Sequence, residues 1–197
     1  MTAIKVCRRK LVSHFEFIMV MVSIIQGLGI TLALRGISRL IRSPHREPVV
    51  LLWAVFLVFL YLQTWWAFWD LAAIGVWNIF QFLFVALYVC TMYAMTELLL
   101  PIAAPPETDW LAHFTSVRKW FFGMVVVLAF LGISLTWYFL GVPLVHPYRI
   151  IQLSILSLGI VGWLTPSLVV HRWIAVLVIL VLFTGQALFR LWPRLGS

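Results

Sequence analysis

The chain has 197 residues, of which 64% are hydrophobic and 10% are charged, and its formal net charge is +8. Its mean hydropathy of +1.08 excludes an ordinary soluble monomer, which could not keep so much apolar surface out of water. We expect an integral membrane protein with one membrane domain over residues 1–197, because the apolar segments leave no length for a separate soluble catalytic domain.

Six stretches contain no Asp, Glu, Lys or Arg: residues 17–34, 48–69, 71–96, 120–148, 150–171 and 173–189. Each is about as long as the roughly 20 residues that an α-helix needs to cross the hydrocarbon of a bilayer. The pattern predicts an all-α fold, a polytopic transmembrane helical bundle of about six spanning helices with short loops. We place the helices at about 15–34, 49–69, 76–100, 119–140, 148–168 and 172–190.

Helix one follows a basic segment, as a signal-peptide core would, but its apolar run is longer than the roughly 7–15 residues of such a core. We therefore expect a retained helix. Ionisable groups in hydrocarbon are costly and often functional, which singles out Glu16. Small or polar residues share its helical face, and this stripe predicts a path or a packing face against a partner helix. The stripe consists of Glu16, Ser23, Gly27 and Thr31.

Lipid should then contact the opposite, bulky face of helix one, which carries Ile18, Ile25 and Leu32. The alternative is that Glu16 lies at headgroup depth, paired with a basic residue of the preceding segment or with His14.

Helix two begins near Pro48, since proline is tolerated in a first turn, and ends in a cluster of aromatic and polar residues. The cluster consists of Gln63, Trp65, Trp66, Trp69 and Asp70. We interpret it as a candidate pocket wall for a quinone or a pigment. The alternative is an interfacial belt, because the chain has 11 tryptophans and most of them, including Trp110, lie near predicted helix ends.

Helix three follows a turn at Gly75 and ends at Pro101. Asn78, Gln81 and Tyr88 recur on one of its faces, which is polar at its start. Such a face either hydrogen-bonds neighbouring helices or lines a pore. After it, the acidic segment 107–109 favours the start of a new helical stretch. We expect residues 110–119 to form an interfacial turn into helix four, and Pro166 to break helix five near its end.

The histidines argue against several cofactors. All five, His14, His45, His113, His146 and His171, fall at predicted helix ends or in loops. A b-type haem needs facing histidines at membrane depth, so that cofactor is not expected. Retinal is not expected either, because Lys5, Lys10 and Lys119 lie outside or at the edge of the spans. We predict no catalytic residues and no metal site, since the usual metalloprotease, redox, nucleotide and hydrolase motifs are missing.

Orientation should follow the Lys and Arg distribution, but six full spans place 7 such residues on each side. If helix one did not cross the membrane, the count would become 11 against 3. We expect six spans with both termini on one side, provisionally the cytoplasmic one.

Two runs carry a family resemblance: Glu16 to Gly36, and Leu51 to Trp69 with its Gln63-Thr64-Trp65-Trp66 segment. They resemble a group of small, functionally uncharacterised bacterial inner-membrane proteins of about this length and with about six transmembrane helices. The resemblance covers the first two helices best and fades after Pro101. It implies a bacterial inner membrane and implies no activity.

Three classes of function fit these observations. The first is an ion or small-solute channel or transporter subunit, which Glu16 and the polar face of helix three favour. The second is a non-catalytic accessory or structural subunit of a larger membrane complex. The third is a quinone- or lipid-binding membrane protein. As partners we expect membrane lipids including anionic lipid, and either a homo-oligomer or other membrane subunits; the basic residues flank apolar helices, so nucleic acid is not expected.

Overall fold

The computed structural model describes residues 14–186, and over that range it contains helices and no strand. Five of its helices are long and apolar enough to cross a membrane, whereas α5, with 17 residues, is shorter. The predictions of an all-α fold and of membrane helices are confirmed. The elements are α1 His14–Arg42, α2 Pro48–Ala67, a 3-10 helix Phe68–Ala73, α3 Ile79–Leu99, α4 Trp110–Tyr138, α5 Tyr148–Leu164 and α6 Leu168–Gln186.

The helices form a ring in which α2 is the most enclosed member. Around the ring the order is α1, α3, α4, α5, α6 and α2, which closes back onto α1. Because α2 also touches α3 and α4, its side chains fill the centre. There the Trp53 ring meets Phe56, Phe121 and Phe122 edge to face, with ring centroids 5.0–5.3 Å apart. These aromatic contacts fix α4 against α2.

The packed face of α1 is opposite to the predicted one. Ile18 and Leu32 are each only 4% exposed, so the prediction that they face lipid is wrong. The predicted packing stripe is instead exposed. It consists of Glu16, Ser23, Gly27 and Thr31. In a membrane, lipid solvates small and bulky apolar faces equally, so close packing decides which face meets the bundle.

Gly29 and Gly36 are the residues that allow this close packing. A Cβ at Gly29 would overlap the Tyr61 hydroxyl, and a Cβ at Gly36 would lie 2.7 Å from the Leu100 Cβ. A Cβ at Gly27 would meet nothing within 4 Å. The helix contact therefore uses a different set of glycines from the one that the stripe indicated.

Several helix ends differ from the predicted ones because local hydrogen bonds set them. The Asp109 carboxylate accepts hydrogen bonds from the backbone N–H groups of Leu111 and Ala112, both at 3.0 Å, so α4 begins at Trp110. Residues 110–119, predicted as an interfacial turn, are therefore helical. The end of α1 also differs, at Arg42 and not at residue 34. The apolar run shows which part of the helix lies in hydrocarbon, and the helix can continue beyond it. The predicted end at residue 190 lies outside the described residues.

The connections 43–47, 100–109 and 165–167 share one end of the bundle. Arg39 Nη1 donates to the Ile102 carbonyl at 2.8 Å, and Arg172 pairs with Glu47 at 3.1 Å. Arg118 Nη1 donates to the carbonyls of Gly162 and Trp163, both at 3.1 Å, where α5 ends. Arginines therefore tie α1, α4 and α6 to the connections around them at this end, which we call the basic end.

Single-cysteine variants should show which side of the membrane each end of the bundle faces. In a chain with Cys7 and Cys90 replaced by serine, a membrane-impermeant thiol reagent should label positions 105 and 167 from one side of the membrane. Positions 75 and 145 should react only from the other side. Labelling of 145 from the same side as 167 would contradict a crossing by α5.

Candidate functional site

A large open cleft of about 1250 Å³ lies at the end of the bundle opposite the basic end, where α1 begins. One wall is the first three turns of α1, and the other is the end of α2 with the 3-10 helix and the segment after it. The described lining residues are His14, Phe15, Glu16, Met19, Val20, Ser23, Ile24, Trp65, Trp66, Trp69, Ala72, Ile74, Gly75 and Trp77. We call this space the tryptophan cleft.

The tryptophan cleft brings together residues that the sequence suggested separately. Glu16 and Ser23 face Trp65, Trp66 and Trp69 across it. The other members of the two predicted sets lie elsewhere. Gly27, Thr31, Gln63 and Asp70 are not among its lining residues.

The chain positions these tryptophans by burying their neighbours. Phe68 and Leu71 are 2% and 1% exposed, and they anchor the end of α2 and the 3-10 helix in the core. Trp65, Trp66 and Trp69 consequently project outward and are 51–71% exposed. Their place at the helix ends suits the amphipathic indole ring, which prefers the headgroup layer.

Charge in the tryptophan cleft is sparse. Among the lining residues that the structure describes, Glu16 and His14 are the ionisable ones. Glu16 occupies the first turn of α1, where the helix dipole favours a carboxylate. The surrounding indole rings attract cations through their faces, and the aliphatic side chains offer an apolar surface. The arrangement can hold an apolar body with a hydrogen-bonding or positively charged end.

A second polar space lies inside the bundle. Two adjoining cavities of about 80 and 60 Å³ share Gln63, Tyr88, Gly132, Tyr148 and Gln152, and we call them together the polar chamber. Each exceeds the roughly 10–15 Å³ that a cavity needs to hold one water. The predicted residues Gln63 and Tyr88 therefore meet here, on α2 and α3.

Arg149 lies beside the polar chamber and is only 4% exposed. Its Nη1 donates to the Gln152 side-chain carbonyl at 2.6 Å and to the Thr136 hydroxyl. Its Nη2 and Nε donate to the carbonyls of Val142 at 2.6 Å and Pro143 at 3.2 Å. Arg149 thus holds the connection between α4 and α5 against the bundle, a contact that we call the arginine clasp. Sequence reasoning missed it because an arginine between two apolar runs looks like a headgroup residue.

Other predicted site residues serve local structure. Asn78 and Gln81 form a capping box at the start of α3, each side chain bonding the other's backbone N–H at 2.9–3.0 Å. Their amides therefore neither bridge helices nor line the polar chamber. Trp110, expected in the interfacial belt, is 1% exposed because it packs in the core.

His171 is fully buried at the start of α6, in ring contact with Phe122 at 5.0 Å and Phe114 at 5.5 Å. It is distant along the bundle from His14 and His146, which lie at the opposite end. Within residues 14–186, no three His, Cys, Asp or Glu side chains are grouped so that they could hold a metal ion.

Comparison with protein-family models, with curated proteins and with solved structures finds no match for this chain.

Proposed function

We propose that this integral membrane protein binds a lipid in the tryptophan cleft, specifically one whose head carries an ammonium group. The supporting observation is the cleft itself, in which four tryptophans and the Glu16 carboxylate line one space of about 1250 Å³.

The volume of the tryptophan cleft and its position along the bundle both support a lipid as the ligand. Pockets for drug-sized ligands usually measure about 300–1,000 Å³, so this cleft has room for a larger molecule. It is open and mostly apolar, and it lies at the bundle end, where a lipid head and the upper part of its tail reside. A bound lipid would enter sideways from the bilayer without crossing water.

The charge of the lining supports an ammonium head. A phosphate alone would face the Glu16 carboxylate, and His14 is the single basic side chain among the described lining residues. An ammonium group would be attracted by Glu16 and by the indole faces, an interaction worth about 0.5–2 kcal/mol per ring. Anionic lipid belongs, in this proposal, at the basic end, where Arg35, Arg42 and Arg46 are exposed.

The lipid proposal can be tested with a tryptophan variant and a matched control. In nanodiscs, the wild-type protein should retain phosphatidylethanolamine or phosphatidylcholine over phosphatidylglycerol when lipids are exchanged and counted by native mass spectrometry. Replacing Trp65 and Trp66 by leucine should weaken this retention at least tenfold, or about 1.4 kcal/mol, through lost ring contacts. Trp173→Leu, on exposed α6 surface outside the cleft, should not change it.

Equal retention of phosphatidylglycerol would exclude the ammonium-head proposal. Equal loss in the Trp173 variant would show that tryptophans act as a general belt and not as a site.

A transport subunit is the second candidate, and the polar chamber is the observation that favours it. Polar side chains from four helices contribute to the lining of that space near the middle of the ring. Oligomeric state separates this role from that of an accessory subunit, since a path built from so small a chain calls for a symmetric assembly. A homo-oligomer by native mass in mild detergent would favour transport, whereas copurification of a different membrane protein would favour the accessory role. The bacterial inner membrane is the location we propose in either case.

A further inference from the structure

We propose that the polar chamber is a binding site for a small monovalent anion of the halide class, which compensates the buried charge of Arg149. This inference is independent of lipid binding in the tryptophan cleft. It rests on the charge balance around the arginine clasp and on the side chains that line the chamber.

The charge of Arg149 has no counter-charge in its contacts. Its hydrogen-bond acceptors are backbone carbonyls, the Thr136 hydroxyl and the Gln152 amide, all uncharged. Between described residues the ion pair that forms is Arg172 with Glu47, at the other end of the bundle. A buried cation whose hydrogen-bond partners are all uncharged is costly.

Helix dipoles do not neutralise the positive charge of Arg149. The C-terminus of α4 offers Arg149 roughly half a negative charge, but Arg149 is also the second residue of α5. The N-terminus of α5 adds roughly half a positive charge at the same place. The two contributions oppose each other, so the region keeps the positive charge of Arg149, and a helix N-terminus is itself favourable for anions.

The chamber adjoins this charge, and its mostly apolar lining includes two side-chain donors that could bind an anion. Gln152 and Thr136 both contact Arg149 and both line the chamber, so one side chain separates the space from the guanidinium. The Gln63 amide and the Tyr88 hydroxyl supply donors, and the described lining contains no carboxylate. A cation would be repelled by Arg149, whereas a monatomic anion fits a cavity of about 80 Å³ with room for water.

Thermal unfolding in lipid nanodiscs tests the proposal at constant ionic strength. Replacing gluconate by chloride or bromide should raise the unfolding temperature of the wild-type protein in a saturable way, by about 5 °C. Gln63→Leu should lose the halide dependence, because it removes a donor from both cavities. Gln26→Leu removes a buried amide of α1 that lines neither cavity, and it should keep the dependence.

Bromide soaked into crystals of the wild-type protein should give an anomalous peak between Gln63, Tyr88 and Gln152. This measurement needs no variant, and Tyr88→Phe serves as a milder change if Gln63→Leu does not fold. Identical unfolding in gluconate and chloride, halide dependence that survives in Gln63→Leu or Tyr88→Phe, or a chamber holding water alone in the bromide crystals would each overturn the proposal.

Discussion

Gly29→Ala should destabilise the bundle by about 1–3 kcal/mol, whereas Gly27→Ala should leave it unchanged or slightly more stable. The added methyl group at Gly29 would overlap the Tyr61 hydroxyl. Tyr61 cannot move aside cheaply, because it is fully buried and its hydroxyl lies 3.0 Å from the Thr96 hydroxyl in a hydrogen bond. At Gly27 the methyl group would point into lipid. Alanine would also lower the conformational-entropy cost of forming the helix.

Reversible unfolding in mixed micelles of increasing SDS content would measure both free energies. The two positions lie two residues apart on the same helix, so the two variants share the same substitution, a similar depth in the membrane and the same helix propensity. They differ in the packing around the added methyl group. Equal effects at both positions would mean that α1 is not packed through Gly29. A larger effect at Gly27 would restore the face that the small-residue stripe predicted.

Arg149→Met should lower the free energy of unfolding by about 3 kcal/mol or more. Methionine is unbranched and fills part of the space, but the carbonyls of Ile133, Val142 and Pro143 would lose their charged donor. Hydrogen bonds to charged groups contribute about 1.5–3 kcal/mol each, and unsatisfied buried acceptors add a penalty. The connection between α4 and α5 should consequently become accessible to protease before the rest of the bundle unfolds.

Arg172→Met provides the control for the loss of an arginine. The Arg172 side chain is 48% exposed in its pair with Glu47. Such surface ion pairs contribute at most about 1 kcal/mol to the free energy of unfolding. The same SDS titration, with limited proteolysis of residues 139–147, would measure both variants. If Arg149→Met were as mild as Arg172→Met, the arginine clasp would not hold the connection.

The class of fold was predictable from this sequence because it depends on chemistry that is local to each segment. Charge-free runs of about 20 residues favour membrane helices, since a helix satisfies its backbone hydrogen bonds within one segment. The boundaries were less predictable. The caps at Asp109 and Asn78 set where α4 and α3 begin, although Asp109 lies outside and Asn78 inside the charge-free run of its helix.

Which face of α1 packs was not predictable, for a physical reason. Gly27 and Gly29 look equivalent in the sequence, and lipid favours neither face strongly enough to reveal the partner helix. The packed face depends on where Tyr61 of α2 lies against α1. That position is set by how the two helices pack, and the sequence of α1 does not contain it.

The candidate site was partly predictable. Glu16 was suggested because carboxylates are unusual in spans, and the Trp65 to Trp69 cluster because indoles and polar residues gather there at one helix end. Their meeting in one cleft requires α1 to lie along the end of α2. Arg149 was missed because a count of basic residues treats every arginine between helices as exposed, and burial depends on the carbonyls that surround it.

The shortness of α5 has a consequence for the membrane around it. Seventeen residues rise about 25 Å, several ångströms less than a hydrocarbon layer of about 30 Å. Its outward side chains, among them Ile150, Leu153 and Leu164, are exposed and apolar, as contact with acyl chains requires. We expect lipids on that flank to shorten where α5 crosses the membrane, so that the bilayer is thinner beside this helix. The mismatch costs fractions of a kcal/mol per ångström and favours residence in thin membranes or a neighbour that covers this flank.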